Sequence, residues 1–193
     1  MDPRIRTETP ERYRPSEGSR RSHRERQAES SDDRRLVQRG GYQKLERTPK
    51  NIVIDASVVA KWFIPEEDSY NASEVMRKYS DGRIDLYAPD LLIYEVANVL
   101  RYRPDVSAEI LVDCIESLIK LQINLIPPST EIVSEAAAKA RELDLSIYDA
   151  CYIVIAETLA TNLITADMKL YEKCRDTKIV FFLKSLGKEW SIP

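Results

Sequence analysis

Glycine is scarce in this chain, with 5 in 193 residues, and only Gly82 and Gly187 lie beyond residue 48. Neither belongs to a glycine-rich turn between a strand and a helix, which excludes the loops that cradle nucleotide phosphates with bare backbone amides. Histidine is scarcer. The single His23 sits in an Arg-rich stretch near the start, so the remainder has no imidazole for acid-base chemistry near neutral pH. Cysteine occurs three times, at Cys114, Cys151 and Cys174, an odd number without CxxC spacing. That argues against a disulfide framework or a zinc site built from Cys pairs, and it fits free thiols in a reducing cytosol. No apolar run reaches the roughly 18 residues of a membrane span, and the polar start holds no apolar signal segment. A cytoplasmic protein with no membrane partner is expected.

What is present divides near Pro49. Residues 1–48 carry 13 Lys or Arg and 9 Asp or Glu, a net +4 within a chain of net charge −3, so the remainder is acidic at −7. Stretches such as Arg20-Arg21-Ser22-His23-Arg24-Glu25-Arg26 hold almost no aliphatic residues and cannot bury enough apolar surface to offset chain entropy. Residues 1–48 are therefore expected to be a disordered, Arg-rich tail, either an inert solvated linker or a nonspecific RNA binder. Residues 49–193 suffice for one domain with a single core.

Along that domain, short apolar segments at 51–54, 84–88, 124–127, 162–165 and 178–183 predict strands. Helical spacing predicts helices over 57–63, 69–79, 89–102, 107–121, 130–143, 149–159 and 168–174. In the helix after Pro89, Leu92, Val96, Val99 and Leu100 define a buried stripe. Strands separated by helices throughout imply crossover connections, hence an α/β class: a three-layer α/β/α sandwich with a mainly parallel sheet.

Four carboxylates stand in unusual settings. Asp55 and Asp167 end the apolar segments Ile52-Val53-Ile54 and Leu163-Ile164-Thr165-Ala166, at the strand ends where open α/β sheets bind ligands. Glu95 lies in the otherwise apolar half-helix Leu91-Leu92-Ile93-Tyr94-Glu95-Val96-Ala97-Asn98, and Asp149 opens a helix after Tyr148. Simpler roles remain open for each: turn residues for Asp55 and Asp167, a helix-dipole acid for Asp149, a structural ion pair for Glu95. Jointly the acids, with the hydroxyls of Ser57 and Thr165 and the amide of Asn98 one helical turn from Glu95, make a set of hard oxygen donors of the kind Mg²⁺ or Mn²⁺ prefers.

The segments Ile52-Val53-Ile54-Asp55-Ala56-Ser57, Tyr94-Glu95-Val96-Ala97-Asn98-Val99-Leu100, Tyr148-Asp149-Ala150 and Leu163-Ile164-Thr165-Ala166-Asp167 resemble the successive motifs of PIN-domain nucleases. The similarity is greatest to the VapC-like toxins of toxin-antitoxin modules. It spans residues 51 to about 185 and leaves the basic tail outside. The resemblance implies a PIN-like sandwich and cleavage of RNA with Mg²⁺ or Mn²⁺. It also implies catalytic, metal-binding acids at Asp55, Glu95, Asp149 and Asp167, supported by Ser57, Asn98 and Thr165. A homodimer and a cognate antitoxin protein are implied as partners. The alternatives are a housekeeping RNA-processing nuclease and a PIN-like module that binds RNA or a partner without cutting. A receiver domain would need an acid beside Asp55, where Ile54 stands. A haloacid-type phosphatase would need one two residues on, where Ser57 stands.

The acidic domain sits awkwardly with a polyanionic substrate. Lys61, Arg101, Arg103 and Lys169 lie near the motifs and are candidates for phosphate contacts, with ordinary solvated surface as the alternative. Trp62, Phe63 and Tyr70 offer either a partner surface or core packing.

Overall fold

The computed structural model describes residues 49–187; the tail expected over 1–48 and the last residues, 188–193, lie outside them. Five strands, β1 (Lys50–Ile54), β2 (Ile84–Pro89), β3 (Asn124–Ile126), β4 (Asn162–Thr165) and β5 (Val180–Phe182), form one sheet in the order β3-β2-β1-β4-β5. Every pairing is parallel. Seven helices connect them: α1 (Ala56–Val59), which tightens into a 3₁₀ turn over Ala60–Trp62, then α2 (Ser69–Ser80), α3 (Leu92–Arg101), α4 (Ala108–Lys120), α5 (Thr130–Glu142), α6 (Ile147–Thr158) and α7 (Met168–Cys174). Among the described residues no helix is long and apolar enough to cross a membrane.

The order of the strands decides where a site can form. From β1 the chain steps outward to β2 and β3, then returns past β1 to β4 and continues to β5. Right-handed crossovers put the helices of the outward steps on one face of the sheet and those of the return on the other. The direction of winding thus reverses between β1 and β4, and the crevice outside the carboxyl ends of these two strands is the topological switch point. Asp55 follows β1 and Asp167 follows β4 within two residues. The α/β/α expectation is met.

Burial follows from this layering. Ile52, Val53 and Ile54 are all fully buried, as expected of a central parallel strand covered on both faces. Helix α6 is buried continuously from Ala150 to Ala156, because it packs against β1, β2 and β4 on one side and α5 on another. All three cysteines are free.

Of the boundaries that differ from the sequence reading, two have a plain physical reason, one tertiary and one local. Pro89 was expected to open α3, but it ends β2 in register with Ile126 of β3, and the Asp90 amide extends the ladder to the Ile126 carbonyl at 3.0 Å. Helix α6 starts two residues earlier than predicted, because Ser146 caps it by accepting from the Asp149 amide at 3.0 Å. Asp149 is consequently the third helical residue.

The shortage of glycine shows at the helix ends. Gly82, at φ 66°, closes α2 in the left-handed conformation that favours glycine, while Gln122, Asp144 and Ala160 take the same role after α4, α5 and α6 at φ 56°, 53° and 47°. A β-carbon there costs about 1–2 kcal/mol, partly offset by the extra freedom glycine has in the unfolded chain. Ala160, whose following amide returns to the Ala156 carbonyl at 2.9 Å, is the simplest case. Ala160→Gly is expected to raise stability by roughly 0.5–1 kcal/mol in urea unfolding; a destabilised variant would refute this account of the turn.

Candidate active site

Asp55 and Thr165 are the two buried polar or charged side chains among the described residues, 7% and 0% exposed. They meet at the switch point. Asp55 occupies the N-cap position of α1 with no side-chain capping hydrogen bond. Its Oδ2 instead accepts the hydroxyl of Ser57 at 2.6 Å and that of Thr165. The hydroxyls are themselves held from β4: Ser57 Oγ accepts the Ala166 amide and Thr165 Oγ1 accepts the Asp167 amide, both at 2.9 Å. The two polar residues expected to support Asp55 are therefore in contact with it, and they tie the end of β1 to the end of β4.

Glu95 projects from the first turn of α3 and is partly buried. Its Oε2 accepts the Tyr152 hydroxyl at 2.5 Å. Asp149 is held by Ser146, whose hydroxyl donates to Oδ2 at 2.8 Å while accepting the Asp149 amide. These acids act on one another. Burial pushes the Asp55 carboxyl above its usual range against the opposing hydroxyl contacts, and Asp149 adds to the rise. Burial likewise raises Glu95 to about 7, opposed by the Tyr152 hydrogen bond and reinforced by Asp55 and Asp149. No Lys or Arg pairs with any of the four acids among the described residues.

Asp167 is different. It is exposed, and its Oδ1 caps α7 by accepting the Lys169 and Leu170 amides at 2.7 and 3.3 Å. Asn98, one turn beyond Glu95, is exposed and makes no side-chain hydrogen bond among the described residues. The acids do not close into a cage either: among the described residues no three carboxylate, thiol or imidazole groups are grouped so as to hold one metal ion. A common pattern nevertheless runs through them. Each carboxylate has one oxygen committed to a protein hydroxyl or amide, and no side chain takes the other. Such a donor set suits Mg²⁺, which keeps several waters and binds through one or two carboxylates rather than a complete protein cage.

Of the candidate phosphate contacts, Lys61 is paired with Glu66 at 2.6 Å and Arg103 with Asp105 at 3.1 Å. Arg101 lies over the Tyr102 ring at 4.9 Å, and Lys169 is exposed. Trp62 and Phe63 pack on the core, with Trp62 donating to the Ala72 carbonyl at 2.9 Å, whereas Tyr70 is 57% exposed. The sequence reading missed Tyr152 and Ser146. Signals for both exist: Tyr152 falls one turn after Asp149 inside an apolar helical stretch, where a hydroxyl needs a partner, and Ser146 stands three residues before an acid at a helix start.

Fold and site together define a doubly wound α/β protein with an acidic cleft at its switch point. A family model described as the PIN domain matches residues 52–176, and this chain belongs to that family. It is 31% identical over 129 residues to Ribonuclease VapC3 of Pyrobaculum aerophilum, a match covering 63% of this chain and 93% of that protein. Among solved structures it resembles PAE2754 from the same organism, with TM-score 0.51 and 23% identity over 71% of this chain and 92% of the other. It also resembles VapC20 of Mycobacterium tuberculosis, described as a sarcin-ricin loop cleaving toxin, with TM-score 0.52 and 13% identity over 63% and 93%. A third likeness is to FitAcB of Neisseria gonorrhoeae, with TM-score 0.50 and 12% identity over 70% and 99%. At these identities the structural likenesses show the fold alone.

The raised Glu95 carboxyl sets a pH dependence. Between the ordinary value of 4.5 and about 7, the folded protein holds a proton that the unfolded chain releases, so this stabilisation is complete at low pH and lost as pH rises through about 7. Glu95→Gln keeps an acceptor for Tyr152 and removes the titration, while the Asp55 contribution is common to both proteins. In EDTA the variant is expected to melt above wild type at pH 8, with the gap closing by about pH 5. A gap independent of pH would show that Glu95 titrates normally.

Proposed function

We propose that this PIN-domain chain is an endoribonuclease dependent on Mg²⁺ or Mn²⁺, and that it serves as the toxin of a toxin-antitoxin pair. The observation that carries the reading is the group of mutually repelling carboxylates Asp55, Glu95 and Asp149, held by hydroxyls, with Asp167 held by amides at the end of β4 and none of the four paired with a cationic side chain among the described residues. The similarity to a protein named a ribonuclease supports RNA as the substrate.

Asp55, Glu95, Asp149 and Asp167 would hold the cation through the oxygens that no side chain takes, one or two of them directly and the others through its bound waters. When bound, a divalent ion supplies an activated water and offsets charge on the phosphodiester. The protein's part is alignment. Ser57 and Thr165 fix Oδ2 of Asp55, Tyr152 fixes Oε2 of Glu95, and Ser146 fixes Oδ2 of Asp149. With no imidazole in the described residues, no side chain there is suited to the acid-base route that forms a cyclic phosphate. Hydrolysis by water leaves 5′-phosphate and 3′-hydroxyl ends.

The same reading gives the protein a homodimeric assembly and an antitoxin partner. Exposed apolar side chains on α3 and α4, including Tyr94, Val99, Tyr102, Ile110, Val112 and Ile119, supply surface of the kind such partners cover.

Purified protein is expected to cut structured RNA only with added Mn²⁺ or Mg²⁺, and Asp55→Asn is expected to lower the rate by about 10²-fold or more. Full activity in EDTA or 2′,3′-cyclic phosphate ends would overturn the chemistry. An Asp55→Asn protein that keeps its RNA binding, beside a wild type that never cuts, would favour a binding module.

A further inference from the structure

Tyr152 heads the fully buried side chains in size, at 1% exposure, in a helical stretch whose other members from Ala150 to Ala156 are aliphatic or cysteine. Phenylalanine would fill this space without carrying a hydroxyl into the interior, where an unpaired one costs about 1–3 kcal/mol. The hydroxyl is instead shared by the acidic site. It donates to Glu95 Oε2 at 2.5 Å, a length typical of a hydrogen bond to an ionised oxygen, and the Ala56 backbone acts on the phenol electrostatically, opposing the rise in its pKa. Ala56 is the residue after Asp55, and Tyr152 sits one helical turn beyond Asp149 on the same face. One hydroxyl thus holds the carboxylate of Glu95 from the helix that carries Asp149.

We infer that Tyr152 is a positioning residue for divalent-cation binding: by holding Oε2 of Glu95 it fixes a carboxylate whose other oxygen no side chain takes. The inference rests on the metal-dependent reading above. Tyr152 touches neither ion nor RNA; it acts through Glu95. Its hydroxyl keeps its proton throughout the working pH range, since burial and the neighbouring acids push the phenol far above its usual value, so it remains a donor to Glu95.

The test is Mn²⁺ binding to the purified full-length chain without RNA, followed by calorimetry and by the electron paramagnetic resonance of free Mn²⁺. Tyr152→Phe is expected to weaken binding by about 10-fold or more, the usual effect of removing a group that orients a ligand, with the melting temperature of the metal-free protein little changed. Glu95→Gln should weaken binding as well, and adding Tyr152→Phe to it should change nothing further, because the hydroxyl acts only through that carboxylate. Wild-type affinity in Tyr152→Phe, or losses that add in full across the pair, would overturn the inference and leave the nuclease reading intact. If wild type itself binds no Mn²⁺, both readings fail. Should Tyr152→Phe not fold, 3-fluorotyrosine at position 152 keeps the hydroxyl. Its ¹⁹F resonance must then move on addition of Mg²⁺, and an unmoved resonance at saturating Mg²⁺ would count against the role.

Discussion

A carboxylate buried at the end of a central strand has to be stabilised by something, and the way Asp55 is stabilised organises this protein. Removing an ionised carboxylate from water costs several kcal/mol. The common remedy is an Arg or Lys partner, yet among the described residues none pairs with Asp55; Lys61, Lys139 and Lys173 pair instead with Glu66, Glu157 and Asp144. Asp55 receives two hydroxyls instead, and hydrogen bonds to a charged group contribute about 1.5–3 kcal/mol each. This difference matters because a hydroxyl stabilises negative charge without cancelling it. Burial therefore leaves the Asp55 and Glu95 carboxyls above their ordinary range, and the neighbouring Asp149 adds to the rise of both.

The same two hydroxyls hold the architecture at its weakest point. At a switch point the connections diverge to opposite sides, leaving strand ends with no helix directly above them. Ser57 and Thr165 bridge that opening, one from each side: Ser57 reaches from α1 to the Ala166 amide and Thr165 from β4 to the Asp55 carboxylate. Tyr152 repeats the arrangement deeper in the fold, joining α6 to α3 through Glu95. Polar contacts that fix a functional group while also stitching elements together are expected where a fold must remain open to a ligand.

Much of this was legible in the sequence for a simple reason. The strand-ending acids and the alternation of strands with helices are local signals, and in a parallel sheet the carboxyl ends of strands share one edge by construction, so Asp55 and Asp167 could be placed together before any coordinates. Ser57 and Thr165 were legible by their spacing of two from those acids. What local pattern does not carry is pairing across elements. The start of α3 moved because Pro89 is held in the β2–β3 ladder, and Tyr152 read as one more apolar residue of α6 because its partner is 57 positions away. Asn98 shares a helix face with Glu95 by its spacing, yet its side chain is exposed while Val96 and Leu100 of the same turn are buried.

On the metal-dependent reading proposed above, tyrosine rather than a cation beside Glu95 bears on how the site would hold an ion. A lysine there would neutralise Glu95 and leave too little negative charge for a second positive ion to enter. A phenylalanine would leave the carboxylate free to rotate, and a mobile ligand loses part of its affinity to the entropy of being ordered. The tyrosyl hydroxyl fixes the carboxylate while keeping its charge, the combination that an ion retaining most of its own water requires, since such an ion gains little from each direct ligand and depends on the charge being correctly placed. The same argument extends to Ser146 and Asp149. Asp167, held by backbone amides at the start of α7, is the acid of the four that lies furthest into solvent.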